Sequence, residues 1–268
     1  MTQATGNGLY LHGGPGLNAE VERQWFEGRV GLDWWSQPAI APTDVSPLQS
    51  VVDAAKARLV QLNQRHGGRV YIVSHSVGAV IAVQLLREAP DLIASATLIN
   101  PIFDLTEAMV GLARRLISDG IATPPLSEAM QRPVDRRTGF VDLAVMMASV
   151  PARFDLYWSP SSGRAKDRYI RLSPNGPAVD FDAFTRVGAA IQDLAPSLYG
   201  IKTSVPVRAI VGAHDPMMPQ DALAYVHERL PLATVSVVDA GHMATFEQPQ
   251  EAWRAQLQRT DLSAPYIP

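Results

Sequence analysis

The stretch from Arg69 to Leu86, RVYIVSHSVGAVIAVQLL, constrains the fold more than any other part of the chain. Its first half, Val70-Tyr71-Ile72-Val73, is a short apolar run rich in β-branched and aromatic residues. That is the pattern of a strand buried on both faces, as in a parallel sheet. The second half, from Val77, is rich in Ala, Val and Leu and runs to a stop at Pro90, which predicts a helix. A strand therefore passes into a helix with almost no loop between them. So sharp a turn brings the two backbones together and leaves no room for bulk beside its apex. Ser74 and Gly78 stand two residues before and two after Ser76. The arrangement is small-x-Ser-x-Gly, with Ser76 at the apex as the candidate nucleophile and Ser74 as packing. A plain strand-turn-helix of small residues has the same pattern, so the rest of the chain must decide.

The rest of the chain alternates strand and helix, which argues for a parallel sheet covered by helices. The strands are expected at 8–11, 29–33, 70–73, 94–99, 207–211 and 234–238. The helices are expected at 19–26, 47–64, 77–89, 220–230 and 249–259. Pro47 and Pro249 suit the first turn of their helices. One interval breaks the rhythm. Between Ile102 and Lys202 there is no convincing strand, only helical patches such as 107–117 and 140–148 between Pro- and Gly-containing breaks. About 100 residues is too long for a structureless loop, so a helical cap or lid over the sheet's carboxyl edge is expected at 102–202. The core domain would then be 1–101 and 203–268.

The chain has 268 residues, 47% hydrophobic and 18% charged, enough for one large α/β domain with an insertion. A net charge of -3 gives no reason to expect nucleic acid. There are no cysteines, hence no disulfide, thiolate metal site or cysteine nucleophile. The first residues show neither a basic nor an apolar signal region, and no apolar run is long enough to span a bilayer. A cytoplasmic location and a small-molecule substrate are expected, with no membrane partner. The sequence leaves the oligomeric state open.

Sites in open α/β sheets form at the carboxyl ends of strands. After the first expected strand comes His12-Gly13-Gly14-Pro15-Gly16. It lacks the residues of a phosphate-binding loop and reads better as an oxyanion loop, with Gly14 N–H and Val77 N–H as donors. A tight turn without function is the plainer alternative. His12 reads as a side chain bracing the loop. After the strand at 207–211 comes Asp215, placed to orient a histidine or simply to start the turn before Pro216. After the strand at 234–238 comes His242, a candidate base or a surface histidine. No histidine pair has metal-ligand spacing with a carboxylate, so no metal is expected, and no cofactor either. The order Ser76, Asp215, His242 is the nucleophile–acid–base order of one hydrolase architecture, each residue following a different strand.

The motifs HGGPG at 12–16, SHSVG at 74–78, GAHDPMMP at 212–219 and GHMATFEQPQ at 241–250 resemble α/β-hydrolase fold enzymes, and among them the proline iminopeptidase-like branch. The resemblance implies a mostly parallel sheet with a helical cap, Ser76 as nucleophile, Asp215 and His242 as its partners, and Gly14 with Val77 as the oxyanion hole. Two departures stand out. The first two strands of the family pattern are missing, so about six strands are expected. The glycines usual after the next strand are replaced in GLDWWSQPAIAP by Trp34 and Trp35, which form either an aromatic wall near the site or a packing pair.

The expected function is a serine hydrolase of the esterase or aminopeptidase-like kind, cleaving a small ester, amide or aminoacyl bond through an acyl-enzyme on Ser76. Trp34, Trp35, Met217, Tyr157 and Trp158 are candidates to line an apolar substrate pocket. Nothing in the spacing selects one acid of the 102–202 interval as an amine anchor. A non-hydrolytic enzyme of the same fold, a cyclase or acyltransferase, is the alternative. A catalytically silent binding protein is the third reading.

Overall fold

The computed structural model describes residues 7–26, 30–174 and 179–248. In chain order the elements are β1 (Gly8–Leu11), α1 (Glu20–Phe26), β2 (Leu32–Trp35), α2 (Pro47–His66), β3 (Val70–His75), α3 (Gly78–Glu88) and β4 (Ile93–Ile99). Then come α4 (Leu105–Ser118), α5 (Pro124–Ala129), α6 (Gly139–Ala148), α7 (Gly163–Leu172) and α8 (Phe181–Leu194), followed by β5 (Val207–Gly212), α9 (Ala222–Arg229), β6 (Thr234–Val238) and α10 (Ala244–Glu247). A 3-10 segment, Pro151–Tyr157, lies between α6 and α7. The strands form one parallel sheet of six in the order β2-β1-β3-β4-β5-β6, with helices on both faces, as the resemblance implied.

The chain winds outward from β1 to β2, then crosses back to place β3 on the other side of β1. Right-handed crossovers in opposite directions put their helices on opposite faces of the sheet. The packing follows this rule. Tyr10, Val73, Ile99 and Ile210 point to one face and meet Trp25 and Phe26 of α1, Tyr169 of α7 and Phe246 of α10. Leu9, Leu11, Ile72, Leu98 and Ala209 point to the other face and meet α2, α3 and α9. The alternation is the period of two that a pleated strand imposes. The direction change between β1 and β3 opens a crevice at their carboxyl ends, and both strands run there into glycine-bearing loops.

β2 occupies Leu32–Trp35 rather than 29–33. Its register explains the shift: Leu32 lies beside Gly8 and Trp35 beside Leu11, so β1 dictates where β2 begins and ends. The expected helix at 249–259 lies outside the described residues. Between β4 and β5 the described residues contain helices and no strand. α7, with the polar sequence GRAKDRYIRL, was not legible as a helix; Tyr169 is its buried anchor. Among the described residues no helix is long and apolar enough to cross a membrane.

Candidate active site

Ser76 follows β3 directly and has φ of +53°, a left-handed backbone that non-glycine residues rarely adopt. Such local strain persists only where the surroundings fix it. Here the Ser76 N–H donates to the Ile99 carbonyl at 2.9 Å, and the Ser76 carbonyl accepts from Ala79 and Ile102. Glycines on both sides let neighbouring backbones close in. A Cβ on Gly78 would lie 2.4 Å from the Leu11 carbonyl oxygen, and one on Gly13 would lie 2.9 Å from Ser76 Cβ. Ser74 stays within β3, fully buried.

Three loops converge on the serine. His242, on the loop after β6, accepts a hydrogen bond from Ser76 Oγ at Nε2, 3.0 Å. Its Nδ1–H donates to Asp215 Oδ2 at 2.7 Å. The carboxylate can only accept, which fixes the tautomer and leaves Nε2 free to take the serine proton. Asp215 Oδ1 accepts from the Met217 N–H at 2.9 Å, so both carboxylate oxygens are held. All three side chains are buried. The acid and base loops press together through two glycines: a Cβ on Gly212 would lie 2.4 Å from the Gly241 carbonyl oxygen. The His214 N–H donates to the Ala240 carbonyl alongside.

Gly14, with φ of +68°, and Val77, the residue before α3, each keep an N–H with no protein acceptor among the described residues. His12 braces this loop. Its Nε2 accepts from the Gln37 N–H at 3.1 Å, so the proton sits on Nδ1 and donates to the Gly13 carbonyl at 3.0 Å. The Gly13 carbonyl and the Gly14 N–H share one rigid peptide plane and point in opposite directions. Anchoring the one therefore aims the other. Burial holds His12 down at about 4, so it is neutral and unsuited to be a base.

Two further residues fix the site, and neither was singled out from the sequence. Asn100, fully buried at the end of β4, donates through Nδ2 to the carbonyls of Gly241 and His242, both at 2.9 Å. Its Oδ1 accepts from the Gly212 N–H at 2.6 Å. One side chain thus clamps both the acid strand and the histidine loop. The signal available was a polar residue closing an apolar strand just before Pro101. His75 donates through Nε2 to the His242 carbonyl at 2.8 Å; burial, with His242 alongside, holds it down at about 3.

Of the expected pocket residues, Tyr157 lies against the site: its ring meets the His242 imidazole edge-on, centroids 5.6 Å apart. Burial, with the Asp215 charge adding to it, pushes its phenol up to about 12. Met217 is buried in the core and serves Asp215 through its backbone N–H. Trp34 and Trp35 are taken up by packing instead. Neighbours in a strand face opposite ways, so Trp34 stacks on Phe26 at 5.2 Å while Trp35 packs on the other side of the sheet. Trp158 is likewise core, edge-on to Tyr169 at 5.5 Å. Asp33 pairs with Arg58 of α2 rather than facing the serine.

Residues 9–256 match the model of the alpha/beta hydrolase family. Among solved structures the chain is similar to a proline iminopeptidase-related protein from Thermus thermophilus, at 25% identity and a TM-score of 0.67, covering 94% of this chain and 89% of that one. It shares its fold with a hydrolase from Pseudomonas aeruginosa, at 20% identity, a TM-score of 0.60 and coverage of 97% and 91%. The same holds for a thermophilic esterase from Thermogutta terrifontis, at 18% identity, a TM-score of 0.57 and coverage of 96% and 91%. Among curated proteins no sequence matches.

Proposed function

We propose that this chain, which belongs to the alpha/beta hydrolase family, is a serine hydrolase that cleaves a small ester, amide or aminoacyl bond through an acyl-enzyme on Ser76. The observation that carries the reading is the relay from Ser76 Oγ to His242 to Asp215, at 3.0 and 2.7 Å, between three buried side chains on three strand ends. In the first half-reaction His242 takes the Ser76 proton as the oxygen attacks the substrate carbonyl. The Gly14 and Val77 N–H groups, beside the amino end of α3, receive the developing oxyanion. His242 then returns its proton to the leaving group, and water repeats the sequence on the acyl-enzyme. The helices between β4 and β5 act in this reading as a cap over the serine, with Tyr157 against the imidazole.

A fluorophosphonate probe with intact-mass readout tests the reading. The wild type and Ser74→Ala gain one probe mass, while Ser76→Ala and His242→Ala do not. A folded wild type that never labels overturns it. Hydrolysis of p-nitrophenyl esters against aminoacyl-anilides then separates esterase from aminopeptidase.

A further inference from the structure

We propose that a cavity whose walls do not include Ser76 binds a compact organic anion of the phosphate-ester or dicarboxylate class and that its occupancy is felt by Asp215. The cavity holds about 320 Å3 and opens on the seam between α4, the 3-10 segment, the start of α7 and the acid loop. Ser76, Gly14 and His242 are not among its walls.

The walls have a charge bias. Arg115 and Lys166 bring two permanent cations, and His214 brings a ring N–H. Asp155 is the carboxylate that faces them, and Ser159 adds a hydroxyl. Each of the three has a partner. Lys166 pairs with Asp155, Arg115 Nε with Asp119 Oδ2 at 2.8 Å, and His214 Nε2 with Asp239 Oδ1 at 2.8 Å. Asp119 and Asp239 stand outside the cavity, and Asp239 is 75% exposed. Exposed pairs of this kind are weak, so an entering anion can draw Arg115 and His214 from their outer partners, while Lys166 is shared with Asp155 in the wall. A guanidinium and an ammonium facing one recess suit a ligand with several acceptor oxygens, which one monovalent ion does not satisfy.

The position of the cavity gives it a consequence. His214 and Pro216 are both wall residues and flank Asp215 on either side. The Ser159 N–H donates to Glu247 Oε2, and Glu247 Oε1 accepts from Gly241, the residue before His242. The cavity thus touches the acid loop directly and the histidine loop through one carboxylate. This coupling rests on the triad reading; the binding itself does not.

The test titrates the wild type with inorganic phosphate, and in a second arm with malonate, at ionic strength held constant with chloride. Calorimetry and the ring signals of His214 report binding; a pulse of fluorophosphonate at each concentration reports the rate at Ser76. Saturable binding of either ion, weakened tenfold or more in Arg115→Gln/Lys166→Gln, is the expected result, with labelling of the ligand-free variant unchanged and labelling of the wild type shifted at least twofold at saturation. The arm that binds tighter identifies the class. Should the double variant not fold, His214→Gln carries the same comparison. Binding that never saturates, or that the variants leave unchanged, overturns the site. Saturable binding that leaves the labelling rate of a labelling enzyme untouched overturns the coupling. A wild type that binds phosphate yet never labels fails the triad reading and leaves the site standing.

Discussion

His75 and His242 lie with their rings 5.0 Å apart, and the Nε2–H of the first donates to the backbone carbonyl of the second at 2.8 Å. The residue before the proposed nucleophile therefore holds the residue that would deprotonate it. Burial keeps His75 neutral, and the one ring proton it then carries is the one on Nε2 that makes this contact. His75→Gln keeps a donor at similar reach but on a flexible chain without the ring that packs beside His242. It is expected to lower kcat about tenfold with KM little changed, because the base would be less well positioned. Steady-state kinetics on any ester that labels the wild type checks this.

Removing triad members has a graded signature. Ser76→Ala and His242→Ala are each expected to lower kcat by about 10⁶, and Asp215→Asn by about 10⁴, since the last leaves the base present in a poorer tautomer. The losses are not additive: Ser76→Ala/His242→Ala should be no worse than either alone. Additive losses would show that the two do not act as a unit.

Asn100 combines two roles that substitution can separate. Its φ of +45° asks for a residue at ease in the left-handed region, and its side chain holds Gly212, Gly241 and His242. Asn100→Gly keeps the backbone and loses the clamp, leaving buried carbonyls and an N–H without partners. A loss of about 2–4 kcal/mol in urea unfolding is expected, with kcat down at least tenfold. Asn100→Asp should be worse, because a carboxylate cannot donate to two carbonyls.

Stability should depend on pH through buried groups of opposite sense. His12 and His75 are held at about 4 and about 3 when folded, below the ordinary 6.5. The unfolded chain takes up those protons first, so their contribution is full above 6.5 and is lost as pH falls toward 4 and then 3. Each steepens the slope in that window by up to about 1.4 kcal/mol per pH unit. Glu22, buried with Tyr10 OH donating to it at 3.1 Å, is pushed up to about 7 from the ordinary 4.5. Its contribution is full below 4.5 and lost as pH rises through 7. Glu22→Gln is thus expected to gain on the wild type at pH 8 and not at pH 4.5, while a histidine variant that still folds should flatten the acid limb. Urea unfolding at pH 4.5, 6 and 8 reads all of this.

The seam between α4 and the acid loop predicts a further loss. A Cβ on Gly111 would lie 2.5 Å from the Pro216 carbonyl oxygen, a backbone atom that cannot turn aside. Gly111→Ala should cost about 1–3 kcal/mol and reduce kcat by moving the loop that carries Asp215. An unchanged pH-rate profile and kcat would show the loop to be indifferent to α4.

What was legible in the sequence was what local pattern encodes. β1, β3, β5 and β6 follow from short apolar runs ending in glycine or polar loops, and the order Ser76, Asp215, His242 follows from where the last three of those runs stop. β2 slid because its position is set by pairing to β1, not by its own apolar residues. Trp34 and Trp35 remained undecided until the sheet showed that they face apart. Asn100 was invisible because its partners lie 112 to 142 residues away, and a lone Asn after a strand says nothing of them.

The tight glycine contacts have a bearing on how the helices between β4 and β5 sit on the loops of the candidate site. Gly111 meets the acid loop, Gly241 meets the backbone of Tyr157 and Trp158, and Gly16 meets the backbone of Asp180 at the start of α8. At each of these places there is no room for even one methyl group. The segments between β4 and β5 thus meet the loops of the sheet at three separate points, backbone against backbone. Each glycine is a notch cut for one neighbouring backbone, so an alanine at 16, 111 or 241 would act as a wedge and prise the helical segments from the loops beneath them.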